Sequence, residues 1–150
     1  MAEFAINETD TSILNVLLDD PRLSYREISK KVGVSVVTAM NRVKRLEKEG
    51  IIKKYTAKLD YEKLGYDFHV MIDVRISKGR FSEIGAKITN NPHIVACYDV
   101  TGDFDATIIA RFRNRRGLDE FLKKIQKYDF IERTNTKLIL SAIKESEMEI

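Results

Sequence analysis

The stretch Ser24-Tyr25-Arg26-Glu27-Ile28-Ser29-Lys30-Lys31-Val32-Gly33-Val34-Ser35-Val36-Val37-Thr38-Ala39-Met40-Asn41-Arg42-Val43-Lys44-Arg45-Leu46-Glu47-Lys48-Glu49-Gly50 decides the fold of the N-terminal part of this chain. Ser24 with Glu27 three residues later is a capping box: the hydroxyl accepts a bond from the Glu27 amide while Glu27 reaches back. A helix starts there, carries Ile28 and Val32 on one face, and stops at Gly33. Val34 turns inward, Ser35 caps again, and a longer helix runs from about 36 to 49 with Gly50 as its stop. On that helix Ala39, Val43 and Leu46 share one face. Two helices joined by a three-residue turn containing glycine, the second strongly basic, form the helix-turn-helix pattern.

Upstream, Ile6, Ile13, Leu14, Leu17 and Leu18 mark one more amphipathic helix, with Asn7 or Thr9 as its cap and Pro21 beyond its end. Downstream, Ile51 to Leu59 reads as an extended stretch, either a wing or the first strand of a hinge, with Ile51 or Ile52 closing the small core. Residues 1–60 therefore form a helix-turn-helix, winged-helix-like domain, 61–67 with Gly65 a linker, and 68–150 a second domain.

Charge gives the first domain a partner. The chain as a whole carries +3, but residues 22–58 hold eleven Lys or Arg against three acids, net +8, which leaves −5 for the rest. A compact basic patch is what binding to a phosphate backbone needs, because each neutralised phosphate releases condensed counterions. A solvated helical surface is the other meaning of such a run. An α-helix fits the major groove of double-stranded DNA, and its early positions meet base edges. With Ala39, Val43 and Leu46 inward, Val36, Val37, Met40, Asn41 and Lys44 lie toward the outer side. Asn41 is suited to an adenine edge and Val36, Val37 or Met40 to a thymine methyl. Thr38, Arg42, Lys44 and Arg45 are suited to phosphates or, for an arginine, a guanine. Ser24, Tyr25 and Arg26 open the preceding helix, whose N-terminal amides can hold another phosphate. Capping alone also accounts for Ser24 and Ser35, and partial burial for Met40.

From Phe68 the hydrophobic period changes from 3.6 to 2: Phe68, Val70, Ile72, Val74 and Ile76 alternate with His69, Met71, Asp73, Arg75 and Ser77. A helix follows with Phe81, Ile84 and Ile88, stopped by Asn90, Asn91 and Pro92. A strand from Ile94 to Val100, a turn at Gly102-Asp103 and a strand from Ala106 to Phe112 come next. Leu118, Phe121, Leu122 and Ile125 mark another helix, and the last strand covers about 131 to 143. The order β-α-β-β-α-β is the ferredoxin-like arrangement, so the whole chain is α+β, with both helices of this domain on one face of a four-stranded antiparallel sheet. Met71, Val95, Cys97, Ile109 and Ile139 fall on the opposite parity from the most apolar positions, which points to a second, partly apolar face. Such a face usually meets another subunit, and the default is a two-fold dimer.

Other classes fit poorly. The lone Cys97 makes no intramolecular disulfide. Met1-Ala2-Glu3-Phe4 does not open a signal peptide. No apolar run approaches the roughly 20 residues that span a bilayer, so a cytoplasmic, DNA-associated location without membrane contact is expected. There is no metal-spaced His/Cys cluster, no Walker A loop and no nucleophile elbow, so neither an enzyme nor a bound metal or cofactor is expected. His69 and His93 read as surface or partner-facing residues and Cys97 as inert packing. RNA binding through the sheet would use Tyr98 and Phe112, but the aromatic-rich strand signature of that module is missing.

The helix-turn-helix unit followed by this β-α-β-β-α-β unit resembles the leucine-responsive regulatory protein and AsnC family of transcriptional regulators, also called feast/famine regulators. The likeness spans 7–143 and rests on two segments. Val34 to Ile52 is similar to that family's recognition helix and its Arg-Leu-Glu-x-x-Gly ending. Val100-Thr101-Gly102-Asp103-Phe104-Asp105 is similar to its Thr-Gly-Asp-Tyr-Asp effector loop. The resemblance implies a homodimer with paired DNA-binding heads, dimers gathered into rings or discs of which an octamer is one size, and an amino-acid effector where dimers meet. By position, Gly102, Asp103 and Asp105 line that effector site, with Thr134 and Thr136 as neighbours. Turn amides can hold a carboxylate and an aspartate an ammonium group; a plain hairpin turn is the competing use of Gly102-Asp103. The chain departs from the family pattern at Val36, often proline, and at Met40, often small or polar. It is expected to be a sequence-specific regulator whose assembly or DNA affinity responds to an amino acid; the alternative is an architectural, weakly specific DNA-coating protein without ligand response.

Overall fold

Each helix of the first unit begins at a side-chain cap. In the computed structural model, which describes residues 5–150, α1 (Glu8–Asp19) starts at Asn7 rather than Thr9. The Asn7 side chain accepts from the Asp10 amide at 3.0 Å, and the Asp10 carboxylate accepts from the Asn7 amide at 3.2 Å. α2 (Tyr25–Val32) carries the Ser24/Glu27 capping box, and α3 (Val36–Lys48) is capped by Ser35. The α2–α3 turn needs a left-handed residue, and Gly33 supplies it at φ +79°. Ile13, Leu14, Leu17, Ile28, Ala39, Val43 and Leu46 form the buried core of these helices, with Val34 and Ile52 packed against it. Burying each of the larger aliphatic side chains contributes roughly 1.5–3 kcal/mol, which is what fixes α3 on its two supports. Residues 53–60 form no helix or strand, so neither of the two expected alternatives, a wing or the first strand of a hinge, forms there; Tyr55 instead donates its hydroxyl to Glu47 of α3 at 2.8 Å.

The second unit is built on β1 (Phe68–Ile76), followed by α4 (Ser82–Lys87), β2 (Ile94–Asp99), β3 (Ala106–Phe112), α5 (Arg115–Ile125) and β4 (Ile131–Leu138). The strands pair antiparallel in the order β2-β3-β1-β4, the ferredoxin-like topology. One face holds Val70, Ile72, Val74, Ala106, Ile108, Ala110 and Phe112, and it is covered by Ile84, Ile88, Leu118, Phe121, Ile125 and Phe130. Cross-strand partners share a face, so the open side carries Met71, Asp73 and Arg75 of β1, Thr107, Ile109 and Arg111 of β3, Tyr98 of β2, and Arg133, Asn135 and Lys137 of β4.

Several sequence expectations change here. A register irregularity between Ile94 and Ala96 puts Cys97 opposite Ile108, on the covered side rather than the open one. β4 ends at Leu138, not near 143; only the Ile139 amide continues, donating to the His69 carbonyl at 2.8 Å. His93 is not a plain surface residue, because its ring stacks on Phe112 with centroids 4.8 Å apart. The chain divides into Met1–Lys58 with Lys144–Ile150, and Leu59–Ile143. The final residues thus run with the first unit: Asn15 of α1 brackets the Ile150 backbone, donating to its carbonyl at 2.8 Å and accepting from its amide at 2.9 Å. Lys58 also donates to the Glu145 carbonyl.

Candidate nucleic-acid interface and effector loop

α3 buries Ala39, Val43 and Leu46, and the helical period then forces Val37, Asn41, Lys44 and Lys48 onto the opposite side. All four are exposed, Val37 at 63% of its surface, which is unusual for a valine with a core beside it. Val36 is exposed at the first turn and Met40 is half-buried. The thirteen residues of α3 make a rod of about 20 Å, long enough to lie across a major groove. Arg45 is exposed at its far end.

The serines have a structural use. Ser35 Oγ accepts from the Thr38 amide at 3.1 Å and bonds Thr38 Oγ1 at 2.8 Å. Ser24 Oγ accepts from the Glu27 amide at 3.3 Å, while the Glu27 carboxylate accepts from the Ser24 amide at 2.8 Å and from its hydroxyl at 2.7 Å. These bonds hold the Glu27 carboxyl below its ordinary range. Both serines and Thr38 remain on the rim of the α2–α3 surface, with Tyr25 half-buried against the core. Arg42 has a different environment from its neighbours. Its guanidinium turns toward α1 and pairs with Asp10, which is fully buried.

In the second unit the loop between β2 and β3 is tied to the end of β1. The Asp105 amide donates to the Val74 carbonyl at 3.0 Å, and the Asp105 carboxylate accepts from the Ile76 amide at 2.7 Å. The Val100 amide closes the loop on the Asp105 carbonyl at 3.1 Å. Arg75 donates to the Asp103 carbonyl and sits 3.8 Å from the Asp105 carboxylate. Gly102 takes φ +113°, a conformation that side chains rarely adopt. Gly102 and Asp103 are exposed, and Phe104 lies under Arg133, 4.7 Å from guanidinium carbon to ring centre. Asp105 is thus a latch for the loop, a role that its sequence position did not reveal.

Thr134 and Thr136 lie opposite Val74 and Ile72, on the helix-covered side of the sheet. Thr134 accepts a bond from Gln126 at the end of α5 at 3.0 Å. Arg75 and Arg133, paired across β1 and β4, are the residues that share the open side of the sheet near the loop. Across the rest of that open side the central group is Asp73, which accepts from Lys137 at 2.6 Å, Thr107 at 2.9 Å and Asn135 at 3.5 Å. Burial works against ionisation there, but these hydrogen bonds prevail and hold the Asp73 carboxyl below its ordinary value. Burial pushes the Cys97 thiol up, which keeps it protonated and unreactive. Among the described residues no helix is long and apolar enough to cross a membrane.

A capped three-helix head with an exposed basic third helix, joined to a ferredoxin-like domain with a latched loop, defines a DNA-binding regulator with a ligand-binding domain. Residues 6–53 match the winged helix-turn-helix DNA-binding model and residues 69–149 the Lrp/AsnC ligand binding domain. The chain belongs to the Lrp/AsnC family of transcriptional regulators. It is 43% identical over 140 residues to an HTH-type transcriptional regulator of Pyrococcus furiosus, covering 93% of this chain and 95% of that one. Among solved structures it is similar to AsnC of E. coli, with a TM-score of 0.91 at 27% identity, covering 98% of this chain and 100% of that one. It is also similar to a transcriptional regulator of Neisseria meningitidis in complex with L-Met, with a TM-score of 0.90 at 26% identity, covering 95% of this chain and 94% of that one.

Proposed function

We propose that this regulator reads specific double-stranded DNA sequences through α3 and that an amino acid changes its assembly or its DNA affinity. The observation that carries the reading is the exposed row Val37-Asn41-Lys44-Lys48 on a helix fixed by caps and core. Apolar, amide and cationic groups in one line suit a thymine methyl, an adenine edge and phosphates respectively. Val36, Arg45 and the α2 entry at Ser24 and Tyr25 extend that surface, with Ser35 and Thr38 chiefly setting the helix start. Arg42 supports the helix from behind.

The effector is a free amino acid held at Gly102 and Asp103, with Asp105 keeping the loop in shape. The L-Met complex of the Neisseria protein supports that class of ligand. Thr134 and Thr136 share the covered side of the sheet on its edge strand, Thr134 half-buried and Thr136 exposed, so any contact from them comes past the edge of β4. The open sheet side, with Met71, Ile109 and Tyr98 around the Asp73–Lys137 pair, is the surface for a second copy of the chain, giving a homodimer and then a larger ring. Regulation requires the amino acid to bind the DNA-competent and incompetent assemblies unequally.

The test is selection of duplexes from a random library by the full chain, followed by binding to the recovered sequence with and without each amino acid. Recovery of a defined sequence whose affinity shifts with one amino acid supports the proposal. Recovery without sequence preference or ligand response supports a DNA-coating protein instead.

A further inference from the structure

Two arginines border the loop that Asp105 latches, in an arrangement that works against the sheet. Arg75 of β1 and Arg133 of β4 are direct partners in the antiparallel pairing and stand on the same, open side. Like charges directly opposite each other destabilise a strand pair. Each guanidinium turns to the loop, and to consecutive residues of it: Arg75 donates to the Asp103 carbonyl, and Arg133 lies over the Phe104 ring at 4.7 Å. A guanidinium stacked by its face keeps the N–H groups of its edges directed outward, in the fork that holds a carboxylate by two parallel bonds.

Hydrogen-bonding capacity around the loop is unevenly spent. The Asp105 carboxylate is engaged by the Ile76 amide at 2.7 Å, with Arg75 at 3.8 Å. Arg133 is exposed and makes no hydrogen bond or ion pair among the described residues, and the same holds for the Asp103 carboxylate. The loop therefore offers one acceptor for an ammonium group, one whole guanidinium fork, and the unspent edge of a second. The paired strands carry Arg75, Arg111, Arg133 and Lys137 on the open side against the single acid Asp73, a surplus of +3 that attracts a net negative ligand. An amino acid with one carboxylate fills Asp103 and one arginine and leaves the other as it was; a second carboxylate engages both. An apolar side chain finds no aromatic face in the loop, because Arg133 already covers that of Phe104. We infer that the effector is an acidic amino acid, held by its ammonium group on Asp103 and by its two carboxylates on Arg133 and Arg75. Arg133 is then a ligand-binding residue, and its stacking on Phe104 sets the direction of its fork. The inference rests on the proposed effector site at the β2–β3 loop.

The test is isothermal titration calorimetry of the full chain with L-glutamate, L-aspartate, L-glutamine and L-asparagine, followed by each remaining amino acid, in a chloride buffer free of phosphate and carboxylates. Acid and amide share a shape and differ by one charge. For the wild type, at least one acid is expected to bind about tenfold or more tighter than its amide, as one charge-assisted bidentate contact requires. Arg133→Gln, with its fold checked by thermal melting, is expected to bring that acid and its amide within about twofold of each other. If this variant fails to fold, Arg133→Lys carries the test, since a point charge without the planar fork should keep less than about a third of the preference. An acid that binds no tighter than its amide overturns the inference, and so does a preference that survives intact in the Arg133 variant. Tighter binding of some other amino acid, weakened by Asp103→Asn, overturns it while leaving the effector site in place. If no amino acid binds, the proposed effector falls and the inference with it.

Discussion

Asp10 of α1 and Arg42 of α3 form an ion pair across the head at 3.4 Å, with the aspartate fully buried and the arginine side chain 30% exposed. Asp10 also closes the α1 capping box, so one carboxylate fixes both the start of α1 and the back of the recognition helix. Removing either partner leaves a charge without its counterpart in a poorly solvated place. Asp10→Ala should cost about 3 kcal/mol of stability, measured by denaturant unfolding. Arg42→Ala should cost somewhat less, because water reaches the arginine side. The double variant should lose less than the sum of the two.

The same pair separates support from contact on α3. Lys44→Ala should leave the melting temperature within a degree or two and reduce the slope of log affinity against log salt by about 0.9, the signature of one lost phosphate contact. Arg42→Ala should lower the melting temperature and leave that slope unchanged. A reduced slope for Arg42→Ala would return the arginine to the DNA surface.

The two aspartates of the β2–β3 loop should respond differently. Asp105 holds the Ile76 amide, while the Asp103 carboxylate is on the exposed side of the turn. Asp105→Ala should destabilise the protein by about 1 kcal/mol, since its bond is charge-assisted but partly solvated, and should abolish an amino-acid-induced rise in melting temperature. Asp103→Asn should leave the ligand-free melting temperature unchanged and reduce the ligand-induced rise. Calorimetry with and without the amino acid measures both.

Asp73 gives the sheet an acid-sensitive centre. Its carboxyl titrates below the ordinary value near 3.8 when the chain is folded, so the stability it contributes is complete above that value and is lost as pH falls through the lower, folded one. The loss of stability as pH falls below about 4 should therefore be shallower in Asp73→Asn than in the wild type. Equal slopes in urea unfolding across that range would show that Lys137 and Thr107 do not favour the ionised form.

Tyr55 reports on the segment after α3. Partial burial of its ring, and then the bond to Glu47, push its hydroxyl up to about 12. A folded value raised above the usual 10 means that its contribution is intact below pH 10 and lost between about 10 and 12. Ultraviolet difference titration of wild type against Tyr55→Phe should show one tyrosine ionising near 12; ionisation near 10 would mean that the anchor to α3 is absent in solution.

Most of the head was legible because its signals are local. Ser24 with Glu27, Gly33 and Ser35 each state a boundary within a few residues, and the structure uses all of them. The strands were legible from parity until a bulge intervened, and the irregularity between Ile94 and Ala96 moved Cys97 to the covered face, since one extra residue reverses every later side chain. Relations distant in sequence were not legible. Nothing near Arg42 marks Asp10 as its partner, and nothing near Phe104 announces Arg133, twenty-nine positions on. Phe130, fully buried beside β4, sits in a polar turn whose composition conceals a core residue. The β2–β3 loop was singled out by its likeness to a family motif, but the bond from Ile76 to Asp105, which gives that aspartate a structural task, depends on tertiary placement alone.

The central claim is most directly tested by fluorescence anisotropy of the full chain on its selected duplex and on a shuffled duplex, across a salt series, with each of the twenty amino acids in turn. Binding to the selected duplex at least a thousandfold tighter than to the shuffled one, steep in salt and changed severalfold by one amino acid, is the predicted result. Equal affinity for both duplexes, unaltered by any amino acid, would contradict it.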